Sequence, residues 1–174
     1  MDGFIEILKI ILPAVAVFFA AFLIVKRFLE NEDKRREHDL NKGNQSITSP
    51  LRLQAYERII IFLERINPSS LLVRVNKNGM NCHQFHMELI KTIKTEFEHN
   101  LSQQIYMSHA SWELIKTTKE EIIKLINVSS TKLLPNATSN DLAIMILNIT
   151  ASLEKKLPND IAIEFIKKEV RKLF

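Results

Sequence analysis

Glycine is scarce in this 174-residue chain, which has only Gly3, Gly43 and Gly79. A phosphate-cradling P-loop or a dinucleotide fingerprint needs several glycines at fixed spacing, so that backbone amides can approach phosphate. Neither motif is present, and H-E-x-x-H, paired C-x-x-C and G-x-S-x-G are missing as well. Their absence removes the nucleotide, zincin and hydrolase readings that such motifs carry. The single cysteine, Cys82, excludes an internal disulfide framework and fits a reducing compartment. No strong charge of either sign exists: the formal net charge of +4 is what an ordinary solvated surface carries.

A long apolar run is what the chain does have. From Ile10 to Val25 there is no charged or strongly polar side chain. With Ile7, Leu8 and a Lys9 able to snorkel, the run approaches the roughly 20 residues that cross a hydrocarbon core. Pro13 lies in its first turns, where a lost backbone hydrogen bond costs least. A cleaved signal peptide would place basic residues first, whereas here Asp2 and Glu6 precede the run and Lys26, Arg27, Lys34, Arg35 and Arg36 follow it. The expectation is a retained transmembrane helix over 5–25, after a short N-terminal end at 1–4. The basic flank orients it with the N-terminus outside and the C-terminal side in the cytoplasm, which in a bacterium means the inner membrane.

Residues 26–40 (KRFLENEDKRREHDL) alternate charge signs with almost no apolar stripe and read as a solvated helical stalk. The small polar segment 41–49 (NKGNQSITS) reads as a flexible linker, so stalk and linker occupy 26–49. Residues 50–174 have the length of one domain with its own core.

Helical periodicity recurs through that domain. Ser49-Pro50 reads as a cap and first turn, followed by Leu53, Tyr56, Ile59, Ile60, Leu63 and Ile66 at helical spacing until Asn67-Pro68 stops the helix. Asn81 caps a helix to about Asn100 with a stripe of Phe85, Leu89, Ile90, Ile93 and Phe97. Ser108 or Ser111 starts the next, in which Trp112, Ile115, Ile122, Leu125 and Ile126 share a face. Ser139 opens a helix that is apolar around most of its circumference, the expected buried centre of the bundle. Pro158 begins the last helix, whose Lys167, Lys168, Arg171 and Lys172 suit the negative end of its dipole. The fold expected is therefore all-α, a bundle of about five helices. The β-branched run 71–75 and the segment 103–107 leave open one short two-stranded β element.

Few constellations suggest chemistry. His83 and His86, three apart beside Cys82 and Met87, share a helix face and offer two imidazoles to a metal, fewer than the three or four ligands a site needs. Glu96 and His99 form one Glu-x-x-His, a spacing that di-iron bundles use twice. These four residues are the candidate metal ligands, and no resident cofactor is expected. Ser102, Ser108 and Ser111 near His109 invite a nucleophile-and-base reading, but helix capping explains them better. Sequons starting at Asn44, Asn100, Asn127, Asn136 and Asn148 arise readily in an Asn-rich chain. Few aromatics interleave with the basic C-terminus, so nucleic acid is not an expected partner.

The stretches LRLQAYERIIIFLERINP (51–68), EFEHNLSQQIYMS (96–108) and SWELIKTTKEEIIKLIN (111–127) resemble an uncharacterised family of small single-span, membrane-anchored bacterial proteins. The resemblance covers about two thirds of the chain. It implies a Bacteroidota-like source and the order span, charged stalk, helical cytoplasmic domain, with no activity or site residues to carry over. The function expected is a membrane-tethered, non-enzymatic adaptor or assembly component that binds a protein partner or itself. A metal-binding bundle or enzyme built on the 83–99 His/Glu region is the alternative.

Overall fold

The computed structural model describes residues 18–19, 22–29, 31–32, 48–153 and 156–173. The chain divides into two compact units, Met1–Ser49 and Pro50–Phe174. In the first, the described residues at 18–19, 22–29 and 31–32 are helical. Phe18, Phe19, Phe22, Leu23, Ile24 and Val25 are all exposed there. Among the described residues no helix is long and apolar enough to cross a membrane. Most of the expected span, 5–17 with 20 and 21, lies outside the described residues, as does the stalk and linker from 33 to 47.

Helices make up the second unit, and no strand occurs among its described residues. In chain order they are α1 (48–65), α2 (Pro68–Val75), α3 (Cys82–Glu98), a 3-10 turn (Leu101–Tyr106), α4 (His109–Thr131), α5 (Ser139–Ala151) and α6 (Pro158–Leu173). The all-α expectation holds. The chain is already helical at 48 and 49, so Ser49 is not the cap of α1.

The two-stranded element does not form. Asn67 ends α1 but also starts α2: its side chain accepts from the Ser69 amide at 3.2 Å, and Pro68 takes the first helical position. A strand over 71–75 would put Leu71, Val73 and Val75 on one face. Instead Leu71, Leu72 and Val75 are buried together while Val73 is 83% exposed, which is helical spacing. The other half, 103–107, is mostly the tight connector from α3 to α4. There Gln103 is buried, Ile105 points outward, and the Asn100 amide side chain ties back to the Glu96 carbonyl at 2.8 Å.

The turn between α2 and α3 explains the one glycine of this unit. The Met80 amide bonds the Lys77 carbonyl at 3.3 Å, closing a turn in which Gly79 has φ of 88°. Just beyond it, Asn81 and Thr138 meet in an isolated antiparallel bridge. Each is a cap with a reciprocal box, Asn81 with Gln84 for α3 and Thr138 with Asp141 for α5, so two helix starts are pinned side by side.

The core is filled chiefly by α1, α3 and α4, through Phe62, Leu63, Phe85, Leu89, Ile115 and Ile122. The expectation that α5 forms the buried centre is wrong. With 13 residues it buries Leu142 and Ile146 against its neighbours and leaves Ile144 57% exposed. At one edge of the core Phe97 stacks on Trp112, with centroids 5.5 Å apart, and the Lys119 ammonium lies 4.4 Å from its ring centroid.

Two stability results follow. Gly79→Ala meets no atom within 4 Å, so it reports the backbone alone and should cost about 1 kcal/mol in urea unfolding. Ile115→Ala empties a fully buried site and should cost about 3 kcal/mol in the same measurement.

Candidate functional site

The residues singled out for metal binding are spread along α3 and its end. His83 is exposed. His86 is half-buried, with Nε2 2.8 Å from the Asn127 side-chain oxygen. Glu96 faces cations rather than imidazoles: Arg65 approaches it at 3.0 Å and Arg74 at 3.2 Å, while Arg74 also donates to the Arg65 carbonyl. His99 caps the C-terminal end of α3 through its backbone. Among the described residues no group of three or more His, Cys, Asp or Glu side chains converges.

The serines separate from the histidine proposed beside them. His109 is almost fully exposed and lies 4.0 Å from Glu113. Ser108 caps α4, its hydroxyl accepting from the Ser111 amide at 3.1 Å, as capping chemistry predicts. Both serines then converge on a residue that periodicity alone passes over, Glu169 of α6.

Glu169 is a hub for three helices. Its Oε1 accepts from the Tyr56 hydroxyl of α1 at 2.5 Å and from the Ser108 amide at 3.3 Å. Its Oε2 accepts from the Ser108 hydroxyl at 2.7 Å and from the Ser111 hydroxyl. The carboxylate also stands at the positive end of the α4 dipole. Burial pushes the Glu169 carboxyl up, but the bonds from Ser111, Tyr56 and Ser108 outweigh it and hold the group below the ordinary glutamate range. Burial, then the bond to Glu169 and its negative charge, drive the Tyr56 phenol up to about 12 against the opposing pull of Arg52. The signal in the sequence is a lone carboxylate within the Ile166 and Val170 stripe of α6.

A second polar tie joins α1 and α6. The break at Asn67-Pro68 turns the Asn67 amide to the Glu64 carbonyl. The carbonyl of Leu63 instead accepts from the buried Asn159 side chain at 2.7 Å. Tyr56 thus meets late α6 and Leu63 meets early α6, so the two helices run antiparallel. Along the pair lies an open groove of about 490 Å³. Its floor is Leu53, Ile60, Ile61, Ile166 and Val170, with Tyr56 at its base. Lys167 and Arg171 stand on the α6 rim and Glu57 on the α1 rim. A concave apolar floor with a few polar groups at its edge is suited to binding rather than to acid–base chemistry.

A family model described as a family of unknown function (DUF7935) matches residues 2–173. The chain belongs to this family. No curated protein matches the chain. No solved structure matches it either.

The hub predicts opposite pH limbs. A carboxyl depressed in the folded state contributes stability that is whole above the ordinary 4.5 and is lost as the pH falls through its folded value. Glu169→Gln should flatten that acid limb of stability against pH in urea unfolding. The raised phenol contributes stability that is whole below the ordinary 10.0 and is lost as the pH climbs through about 12. Tyr56→Phe should remove one group ionising near 12 from an ultraviolet absorbance titration. Loss instead of a group that ionises near the ordinary 10.0 would refute the hub geometry.

Proposed function

We propose that this protein is a membrane-tethered, non-enzymatic adaptor or assembly component whose helical domain binds a protein partner. The groove between α1 and α6 carries the reading. It keeps apolar side chains in water, with Ile61 56% exposed, and such surfaces on folded domains mark interaction sites.

The tether is part of the same proposal. The run Ile10–Val25 is apolar throughout, and its described portion is helical with exposed Phe18, Phe19, Phe22, Leu23, Ile24 and Val25. Apolar side chains on a helix in this state are suited to hydrocarbon. Basic residues after the run orient the domain toward the cytoplasmic face of a bacterial inner membrane. Tethering near a surface raises the effective concentration of domain and partner without any new contact.

Three measurements test this. The full-length protein should remain with membranes after alkaline carbonate extraction, and cysteine introduced at the exposed Thr117 of α4 should be protected from an impermeant thiol reagent in intact cells. Cross-linking of the full-length protein in its native membrane should capture a protein partner or a second copy. Release by carbonate would refute the tether, and reaction of the Thr117 position in intact cells would refute its orientation. A chain that remains uncross-linked and monomeric would refute the adaptor.

A further inference from the structure

The groove also indicates what kind of partner it takes, an inference that rests on the adaptor reading. We propose that the α1–α6 groove is the docking site for an amphipathic helix of a partner protein that carries acidic residues along one flank. The length fits: Leu53 to Ile61 covers about 12 Å along α1. Helices lying in grooves use apolar anchors at i, i+3 or i+4, and i+7, which extend over about 10 Å. A volume of about 490 Å³ accommodates a few such side chains over the Ile60, Ile166 and Val170 floor.

Charge chooses the occupant. Lys167 and Arg171 are one turn apart on α6 and line the same rim, and neither forms an ion pair among the described residues. Acidic side chains four apart on a docked helix face both cations at once. Glu57 on the opposite rim gives the groove an asymmetric field, which fixes the direction in which such a helix lies. A bilayer suits the site less well. Its surface is flat where the groove is concave.

The test uses the full-length protein in nanodiscs of neutral lipid and two synthetic helical peptides. Both carry leucines at i, i+4 and i+7. One has glutamates and the other lysines at the flank facing α6. Fluorescence anisotropy should show the acidic peptide binding at least tenfold more tightly, about 1.4 kcal/mol. The double variant Lys167→Glu, Arg171→Glu should invert that preference, and Ile61→Asp should abolish binding of both, with helical content by circular dichroism unchanged in each. Failure of both peptides to bind, or a preference that does not invert, overturns the proposal. So does protection of the groove only by anionic vesicles or only by a second copy. A photo-cross-linker at Ile144 on α5, compared with one at Ile61, separates the two levels in native membranes. Capture of a partner only from Ile144 overturns the groove and leaves the adaptor standing, whereas capture from neither position overturns both.

Discussion

The arrangement of this domain depends on one carboxylate. Glu169 gathers hydroxyls from α1 and α4 onto α6, and its removal would strand Ser111, which is fully buried, and Tyr56, which is 1% exposed. A buried polar group left without its partner costs about 1–3 kcal/mol, and hydrogen bonds to a charged acceptor are the stronger kind. The surface ion pairs compete poorly on that scale. Lys91 with Glu88 and Lys116 with Glu113 are solvent-exposed i,i+3 pairs, whose attraction is screened by water and offset by the ordering of two long side chains. The hub therefore sets where α1 lies on α6, and the apolar floor of the groove follows from that placement.

Function and stability meet along this helix pair. Tyr56 is at once a core residue, a donor to Glu169 and part of the groove base. Asn159 closes the other end by taking the Leu63 carbonyl that the Asn67-Pro68 break leaves without its usual partner. Beside the Tyr56 tie the outer edges of α1 and α6 leave apolar surface in the groove, with Leu53 and Ile61 exposed. On the proposed reading, a partner completes there what the domain's own helices leave open, and the tether keeps that surface near its target.

Much of the fold was legible in the sequence because it rests on local chemistry. Asn81, Ser108 and Pro158 announced helix starts through capping and fixed φ, and each stands where a helix begins. The short run 71–75 leaves helix and strand open, because β-branched residues over so few positions give no periodicity to decide on. Burial of Leu71, Leu72 and Val75, a tertiary effect, settled it as helix. α5 departs from its sequence pattern for the opposite reason. Its apolar circumference promised full burial, but neighbours cover only one face, which a helical wheel does not reveal. The site was least legible. Glu96 and the histidines drew attention by spacing, whereas Glu169 acts through residues 113 and 61 positions away in the chain. Only the folded arrangement brings those hydroxyls to it.

Tyr56 and Glu169 act together to fix α1 against α6. A double-mutant cycle of Tyr56→Phe and Glu169→Gln in urea unfolding measures that coupling directly. A bond from a buried hydroxyl to a carboxylate should appear as a coupling energy of about 1–2 kcal/mol. Single substitutions whose costs simply add, within about 0.3 kcal/mol, would contradict it.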